Sequence, residues 1–420
     1  MFRRVKGTQD FLDLGGFLQV IDGIRKHLAC YNFTPVETPI LEHAELFSRS
    51  LGEHTDVVHK EMFFVANRDD EDGGKEALVL RPEMTASVMR AFFEAQHELA
   101  ARPWRAFTWG PAFRYERPQK GRYRQFHQVS LEIIDAASVA YDAELIALLY
   151  QFFSTTLTLE NFVLEVNYLG SLEDRARYKK ALLDYLDGFS SLPQALVDRK
   201  IVNILRCFDL KDEASQQVMR DAPQLLDFLS GNSLVEWEQI QRLLEDLAIP
   251  FMINPRLVRG LDYYNKTVFE FSSSLLGAQS AFCGGGRYDL LAQEFGAKEA
   301  IPSLGAGIGI ERLVLLLEEE GKIAPRKKPS CVVVPLSEDE LELSLLYAEK
   351  IRSFDCSCEA IFDIKSVKSM MRRANKHAAK FALLIGTDER LGNYITAKDM
   401  DSGEECRIAP VDLEKFCRNI

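Results

Sequence analysis

The residues from Arg124 to Glu132 carry the densest set of chemical groups in this chain of 420 residues. Side chains alternate across a strand. An extended segment here puts Val129, Leu131 and Ile133 on one face and Phe126, Gln128, Ser130 and Glu132 on the other. One face is apolar; the other is polar with an aromatic ring at its end. A solvated sheet face is the plain alternative for such a strand in isolation. Just upstream, Arg114, Arg117, Lys120, Arg122 and Arg124 stand against the single carboxylate Glu116 within eleven residues. Guanidinium groups beside a glycine turn suit phosphate oxygens, which they grip with paired hydrogen bonds. Taken alone, these cations are equally consistent with a solvated basic hairpin.

Arg259 precedes Gly260-Leu261-Asp262-Tyr263-Tyr264. If that segment is extended, the two tyrosines point to opposite faces, one into a core and one offering a hydroxyl. Gly305-Ala306-Gly307-Ile308-Gly309 runs into Ile310-Glu311-Arg312-Leu313. Its third glycine comes one place early for a dinucleotide fingerprint, and no Gly-Lys-Ser/Thr follows as a P-loop needs. The glycines instead allow close strand packing and leave Arg312 near a helix start. Glu83 follows Pro82, where a first-turn carboxylate favours the helix dipole. His127 falls on the apolar face of its strand and reads as a structural histidine. Neither G-x-S-x-G nor H-E-x-x-H occurs, which excludes those serine-hydrolase and zinc-protease layouts.

These groups need elements to hold them. Apolar residues recur with helical period over 17–31, and Leu78-Val79-Leu80 reads as a short strand. A helix is expected to begin at Pro82, with Met84, Val88 and Phe92 on one face. Residues 104–117 and 124–134 alternate like antiparallel strands joined by Pro118-Gln119-Lys120-Gly121. Strand pattern returns at 267–271, and Gly284-Gly285-Gly286 reads as a turn. The expected organisation is a core in two parts, 1–170 and 249–324, interrupted by a charged helical insertion at 171–248. A linker at 325–330 leads to a small α/β domain at 331–420, with strands at 331–335, 357–362 and 381–386 and a helix at 341–351.

The balance of 51 basic and 63 acidic residues gives a net charge of −12, which excludes a uniformly basic nucleic-acid coat but not a local patch. One such patch is present. Lys365, Lys368, Arg372 and Lys376 recur at three- and four-residue steps, with Arg373 and Lys380 nearby and no acid between 364 and 380. On a helix they form a stripe suited to a phosphate backbone, or simply a solvated face. No apolar run is long enough to span a membrane, and no apolar segment follows the first residues as in a signal peptide. Eight cysteines with one close pair, Cys356 and Cys358, make neither a disulfide scaffold nor a zinc site. They read as reduced thiols, which implies a cytoplasmic protein without a membrane partner.

Together the segments resemble the class II aminoacyl-tRNA synthetases, and within them the histidyl-tRNA synthetase family, over nearly the whole chain. Gly7-Thr8-Gln9-Asp10 is similar to that family's opening. Thr38-Pro39-Ile40-Leu41-Glu42 through Phe47, Ser50, Gly52 and Glu53 is similar to its dimer-forming motif 1. Leu80-Arg81-Pro82-Glu83-Met84-Thr85 resembles its amino-acid loop. Phe113-Arg114-Tyr115-Glu116-Arg117 resembles motif 2, and Gly307-Ile308-Gly309-Ile310-Glu311-Arg312-Leu313 motif 3. Leu257-Val258-Arg259-Gly260-Leu261-Asp262-Tyr263-Tyr264 and Gly285-Gly286-Arg287-Tyr288-Asp289 resemble the two histidine-specific segments. Met84 and Cys283 depart from the common pattern without removing a contact group.

The resemblance implies an α+β fold: an antiparallel sheet flanked by helices, a helical insertion and a C-terminal anticodon-binding α/β domain. It implies ATP-dependent attachment of L-histidine to tRNA(His) through a histidyl-adenylate, by a homodimer, with Mg2+ carried mainly on the ATP phosphates rather than by protein ligands. Arg114, Arg259 and Arg312 would be catalytic. Arg114, Glu116, Arg122, Phe126 and Arg312 would bind ATP. Glu83, Thr85, Arg114, Gln128, Glu132, Arg259, Tyr263, Tyr264 and Tyr288 would bind histidine. Lys365, Lys368, Arg372 and Lys376 would contact tRNA. Non-catalytic paralogues that serve as regulatory subunits of ATP phosphoribosyltransferase share the core. They typically lack the C-terminal domain and lose site residues, whereas Glu83, Arg114, Arg259 and Arg312 are all present here.

Overall fold

The computed structural model describes residues 2–52, 55, 57–66, 77–95, 101–210, 212–325 and 328–420. Glu53 of the segment resembling motif 1, and Arg326 and Lys327 of the expected linker, lie outside these residues. The chain divides into two compact units, Met1–Ala324 and Pro325–Ile420.

The first unit is built on an eight-stranded sheet. Its order is Thr34–Pro35, Trp104–Phe113, Gln125–Ile134, Ser303–Gly309, Ala281–Arg287, Thr267–Ser272, Val163–Tyr168 and Met252–Ile253. The six central strands are antiparallel neighbours; only the short edge strands pair in parallel. Strand alternation divides the side chains between two cores. Val129, Leu131, Ile133 and Phe269 join one core, covered by the helices Gly15–Ala29, Ala140–Gln151, Asn232–Asp246 and Ile310–Glu319. Ala106, Ile134, Val268 and Tyr288 join the other, with Ala44–Leu51, Thr85–Ala95 and Leu172–Asp187.

The described residues of 171–248 contain helices and no strand. The first helix, Leu172–Asp187, starts with a capping box between Ser171 and Asp174. Its Tyr178, Leu182 and Leu186 enter the second core, whereas Trp237, Ile240 and Leu244 of the last helix enter the first.

Three local expectations need correction. The helix after Pro82 begins at Thr85, because the Glu83 carboxylate accepts the amide N–H groups of Thr85 (2.6 Å) and Ala86 (2.9 Å) and thereby ends the loop. The strand expected to reach residue 117 stops at Phe113. Beyond it the chain closes on itself through the Arg114 N–H to the Arg124 carbonyl and the paired Gln119 and Arg122. Gly284 to Gly286 lie inside a strand, not a turn. A Cβ at Gly285 would meet the Gly305 carbonyl of the adjacent strand, so the glycines serve strand approach.

The second unit carries a five-stranded sheet ordered Cys358–Ala360, Cys331–Pro335, Phe381–Ile385, Ile395–Asp399 and Glu405–Ile408. The first three strands are parallel and the last two antiparallel. Leu341–Arg352 and Leu413–Arg418 pack on one face, Val367–His377 on the other. No helix of the described residues is long and apolar enough to cross a membrane, and all eight cysteines are free thiols.

Candidate active site

A cavity of about 360 Å³ opens on the polar face of the central sheet, within the size range of small-molecule sites. Its cationic wall comes from three separate places in the chain. Arg114 leaves the end of its strand and donates from Nε to the Pro82 carbonyl (2.9 Å), with its guanidinium 5.4 Å from the Phe126 ring. Arg122 forms an ion pair with Glu116 across the loop. Arg312 sits three residues into its helix and donates to the carbonyls of Gly121 (2.9 Å) and Ala281 (2.6 Å) and to Gln279 (2.9 Å). Burial, and then the positive charges of Arg122 and Arg114, push the Arg312 guanidinium down to about 10. Cations crowded this closely repel one another unless an anion joins them.

Arg259 also lines the cavity, in an ion pair with Glu270. A Cβ at Gly284 would collide with the Arg259 guanidinium, so this glycine in the strand makes the groove in which the arginine lies. The floor is the Gln125–Ile134 strand. Phe126 and Gln128 line the cavity with Glu83 and Thr85. Gly307 lies opposite Ser130, diagonal to Gln128 in the adjoining strand, and a Cβ there would overlap the Gln128 amide.

Glu132 and Tyr288 lie one layer deeper. The Glu132 carboxylate is fully buried and accepts from the hydroxyls of Thr85 (2.7 Å), Ser130 (2.9 Å) and Tyr288. Desolvation pushes it up to about 8, against the pull of those three hydroxyls and with help from the Glu83 charge. Gly305 faces Glu132 in the sheet and leaves the room its carboxylate occupies. Gly305→Ala is therefore expected to cost about 1–3 kcal/mol through overpacking. A denaturant midpoint equal to that of the parent would show that the strands separate freely.

Of the residues singled out in the sequence, Glu83, Thr85, Arg114, Glu116, Arg122, Phe126, Gln128, Arg259, Tyr263, Tyr264 and Arg312 line this one cavity. Tyr263 and Tyr264 do not point to opposite faces. Their segment is a turn, so both rings are buried, 4.5 Å apart, and both line the cavity beside Tyr288. Arg124 turns away and stacks on Tyr115 at 3.7 Å. Lys120 pairs at the surface with Glu319. His127 hydrogen-bonds Glu311 at 2.8 Å on the far face of the strand.

Two contributors were not singled out as site residues: Arg81, within the segment resembling the amino-acid loop, and Arg206. Arg81 is 2% exposed and ties the loop before Glu83 to Thr38 and Pro111; Gly110 leaves space for it. Arg206 reaches the cavity from the helical segment at 171–248, and a lone arginine among charged helices gives no signal in sequence.

In the second unit, Lys368, Arg372 and Lys376 are exposed along Val367–His377. Lys365 precedes that helix, because Ser366 caps its N-terminus. Arg373 is held by Asp363 at 2.7 Å, so its charge is compensated.

Comparison with known proteins joins these observations. The histidyl-tRNA synthetase family profile matches residues 19–313 and an anticodon-binding-domain profile matches residues 330–420. A histidine–tRNA ligase of Aquifex aeolicus is 41% identical over 414 residues, covering 97% of this chain and 99% of that protein. One from Nitrosomonas europaea is 41% identical over 411 residues, covering 97% and 96%. The crystal structure of apo S. aureus histidyl-tRNA synthetase superimposes with a TM-score of 0.82 at 28% identity, covering 100% of both chains.

Proposed function

The chain belongs to the histidyl-tRNA synthetase family, and from that membership we propose which of its residues carry each part of the reaction. The chain is an ATP-dependent histidine–tRNA ligase. Its substrates dictate the chemistry. The histidine carboxylate is already an anionic nucleophile, so no protein nucleophile is needed. The carboxylate must lie in line with the α-phosphorus while developing negative charge is neutralised. Pyrophosphate then leaves, and a terminal ribose hydroxyl of tRNA attacks the carbonyl of the acyl-adenylate, breaking its bond to the phosphate and releasing AMP.

Arg114 and Arg312 hold the triphosphate, with Arg122 beside them. Glu116 contacts the adenine, and Phe126 stacks on it. Arg259 meets the α-phosphate and the histidine carboxylate. Glu83, Thr85 and Gln128 bind the α-ammonium group, while Glu132, Tyr263, Tyr264 and Tyr288 select the imidazole. The observation that carries this reading is the one cavity lined by Arg114, Arg122, Arg259 and Arg312 together with Glu83, Thr85, Phe126 and Gln128. Among the described residues no three His, Cys, Asp or Glu side chains converge as a metal cage, and the triphosphate wall is guanidinium. A Mg2+ ion would be held chiefly by phosphate oxygens, beside a wall of guanidinium groups. When bound, it neutralises phosphate charge. ATP–pyrophosphate exchange with each of the twenty amino acids tests the pocket: histidine alone should support it, and exchange with another amino acid would overturn the imidazole assignment.

The enzyme acts as a cytoplasmic homodimer in this reading. Ile40, Leu41, Phe64 and Val65 support the dimer, since they leave apolar surface exposed on and beside the small sheet formed by Leu41–His43, Leu78–Leu80 and Phe63–Val65. Lys365, Lys368, Arg372 and Lys376 contact tRNA(His) along its backbone. Reversing two charges, as Lys368→Glu with Arg372→Glu, should weaken tRNA binding at least tenfold. It should also flatten the salt dependence by about two phosphate contacts. Unchanged affinity at moderate salt would make the stripe a solvated face.

A further inference from the structure

Arg259 is carried by an irregular segment between the strands Met252–Ile253 and Thr267–Ser272, so no strand ladder fixes its backbone. What touches that segment comes from elsewhere. Within the helical region 171–248, a 3-10 helix spans Ile204–Asp209 and is capped by Asn203, whose side chain accepts the Leu205 N–H at 3.1 Å. Asn203 lies just outside this helix in extended conformation and Arg206 lies within it. Both reach the turn after Arg259. Arg206 donates from Nη2 to the Gly260 carbonyl at 2.5 Å, and Asn203 donates from Nδ2 to the Asp262 carboxylate at 3.2 Å. Arg206 is 6% exposed and its guanidinium forms part of the cavity wall.

We propose that Arg206, assisted by Asn203, is a positioning residue through which the helical insertion holds the Arg259 turn in its working geometry. This rests on the assignment of Arg259 to the α-phosphate made above. The backbone carbonyl after Arg259 has a charged donor drawn from a helix more than fifty residues away in sequence. Its neighbours Leu205, Cys207 and Phe208 belong to the same apolar cluster as Leu257, Tyr263 and Tyr264. Movement of the insertion is transmitted to Arg259 along this path, so the insertion acts on adenylate formation and is not merely an appendage.

The test is a double-mutant cycle on the full-length enzyme, read by histidine-dependent ATP–pyrophosphate exchange. Arg206→Met should lower kcat at least tenfold while changing the KM for ATP and for histidine less than threefold. In the Arg259→Ala background, the same substitution should add less than a twofold loss, because the group it positions is gone. Arg206→Lys, which keeps a donor, should recover part of kcat. If Arg206→Met does not fold, Asn203→Ala enters the cycle in its place, with a smaller loss and the same non-additivity. A raised KM for ATP with unchanged kcat, or losses that multiply across the cycle, would overturn the proposal and make Arg206 an independent substrate contact or a structural residue. If Arg259→Ala alone retains exchange, the assignment of Arg259 itself fails and this inference falls with it.

Discussion

Arg259→Ala is expected to abolish most histidine-dependent ATP–pyrophosphate exchange, by about a thousandfold, while the protein stays folded. Charge that develops on the α-phosphoryl oxygens in the transition state is worth several kcal/mol when met by a prepositioned cation in a water-poor site. A thousandfold corresponds to about 4 kcal/mol. Three features make this arginine the strongest single lever. It is carried by a different chain segment from Arg114 and Arg312, yet lines the same cavity. Its groove exists only because Gly284 has no side chain. Its ion pair with Glu270 fixes where the guanidinium rests. Removing it leaves Glu270 without that partner, so Arg259→Lys is the companion variant: it keeps a charge for Glu270 but loses the planar fork. The lysine variant should fold like the parent and recover only a small part of the rate. Exchange within tenfold of the parent in the alanine variant would remove Arg259 from the mechanism.

Glu132→Gln is expected to raise the KM for histidine at least a hundredfold and that for ATP less than twofold. A polar site built around a substrate's hydrogen-bonding groups discriminates strongly, because a mismatch leaves buried groups unpaired. Glu132 is such a group, with hydroxyls of Thr85, Ser130 and Tyr288 already pointed at it. Its pH behaviour gives a second readout. Burial pushes the carboxyl up to about 8, and a free imidazole titrates near ~6.5. Between those values the empty pocket and free histidine together hold one proton, which is the number a carboxyl–imidazole pair shares. Below about 6.5 the free imidazole holds an extra proton that binding must shed. Above about 8 the free carboxyl has lost one that binding must restore. The KM for histidine should therefore pass through a minimum between these limits, rising on both sides. Glutamine does not titrate, so the variant should lose the Glu132 part of the alkaline rise and keep the acidic limb, with only the rise from deprotonation of the substrate α-ammonium group left on the alkaline side. Equal effects on both substrates, or an alkaline rise identical to the parent's in Glu132→Gln, would sink the imidazole role.

Glycines mark the boundary between what was legible and what was not. Gly305 and Gly307 were readable as close strand packing, but not as the space for the Glu132 carboxylate and the Gln128 amide, which belong to the adjacent strand in register. Gly284 to Gly286 looked like a turn because three glycines weaken any strand. Pairing with Thr267–Ser272 on one side and Ser303–Gly309 on the other overrode that preference.

Local order was enough to place most of the elements, the polar face of the Gln125–Ile134 strand and, through ordered motifs, the reaction. Alternation and helical period are properties of neighbouring residues, and motif chemistry is written in consecutive ones. Local pattern could not tell which cations of the basic run share a cavity; the resemblance named them, and tertiary contact brings them together. Arg114, Arg122 and Arg312 converge there, while Arg124 from the same basic run stacks outward on Tyr115. Tertiary structure alone brought both Tyr263 and Tyr264 to one side, because a turn has no two-residue alternation. It alone set Glu132 beneath the floor and brought Arg206 from the insertion to the Arg259 turn. The reason is physical: burial and charge–charge distance depend on which strands and loops meet, and these meet across separations of tens to almost two hundred residues.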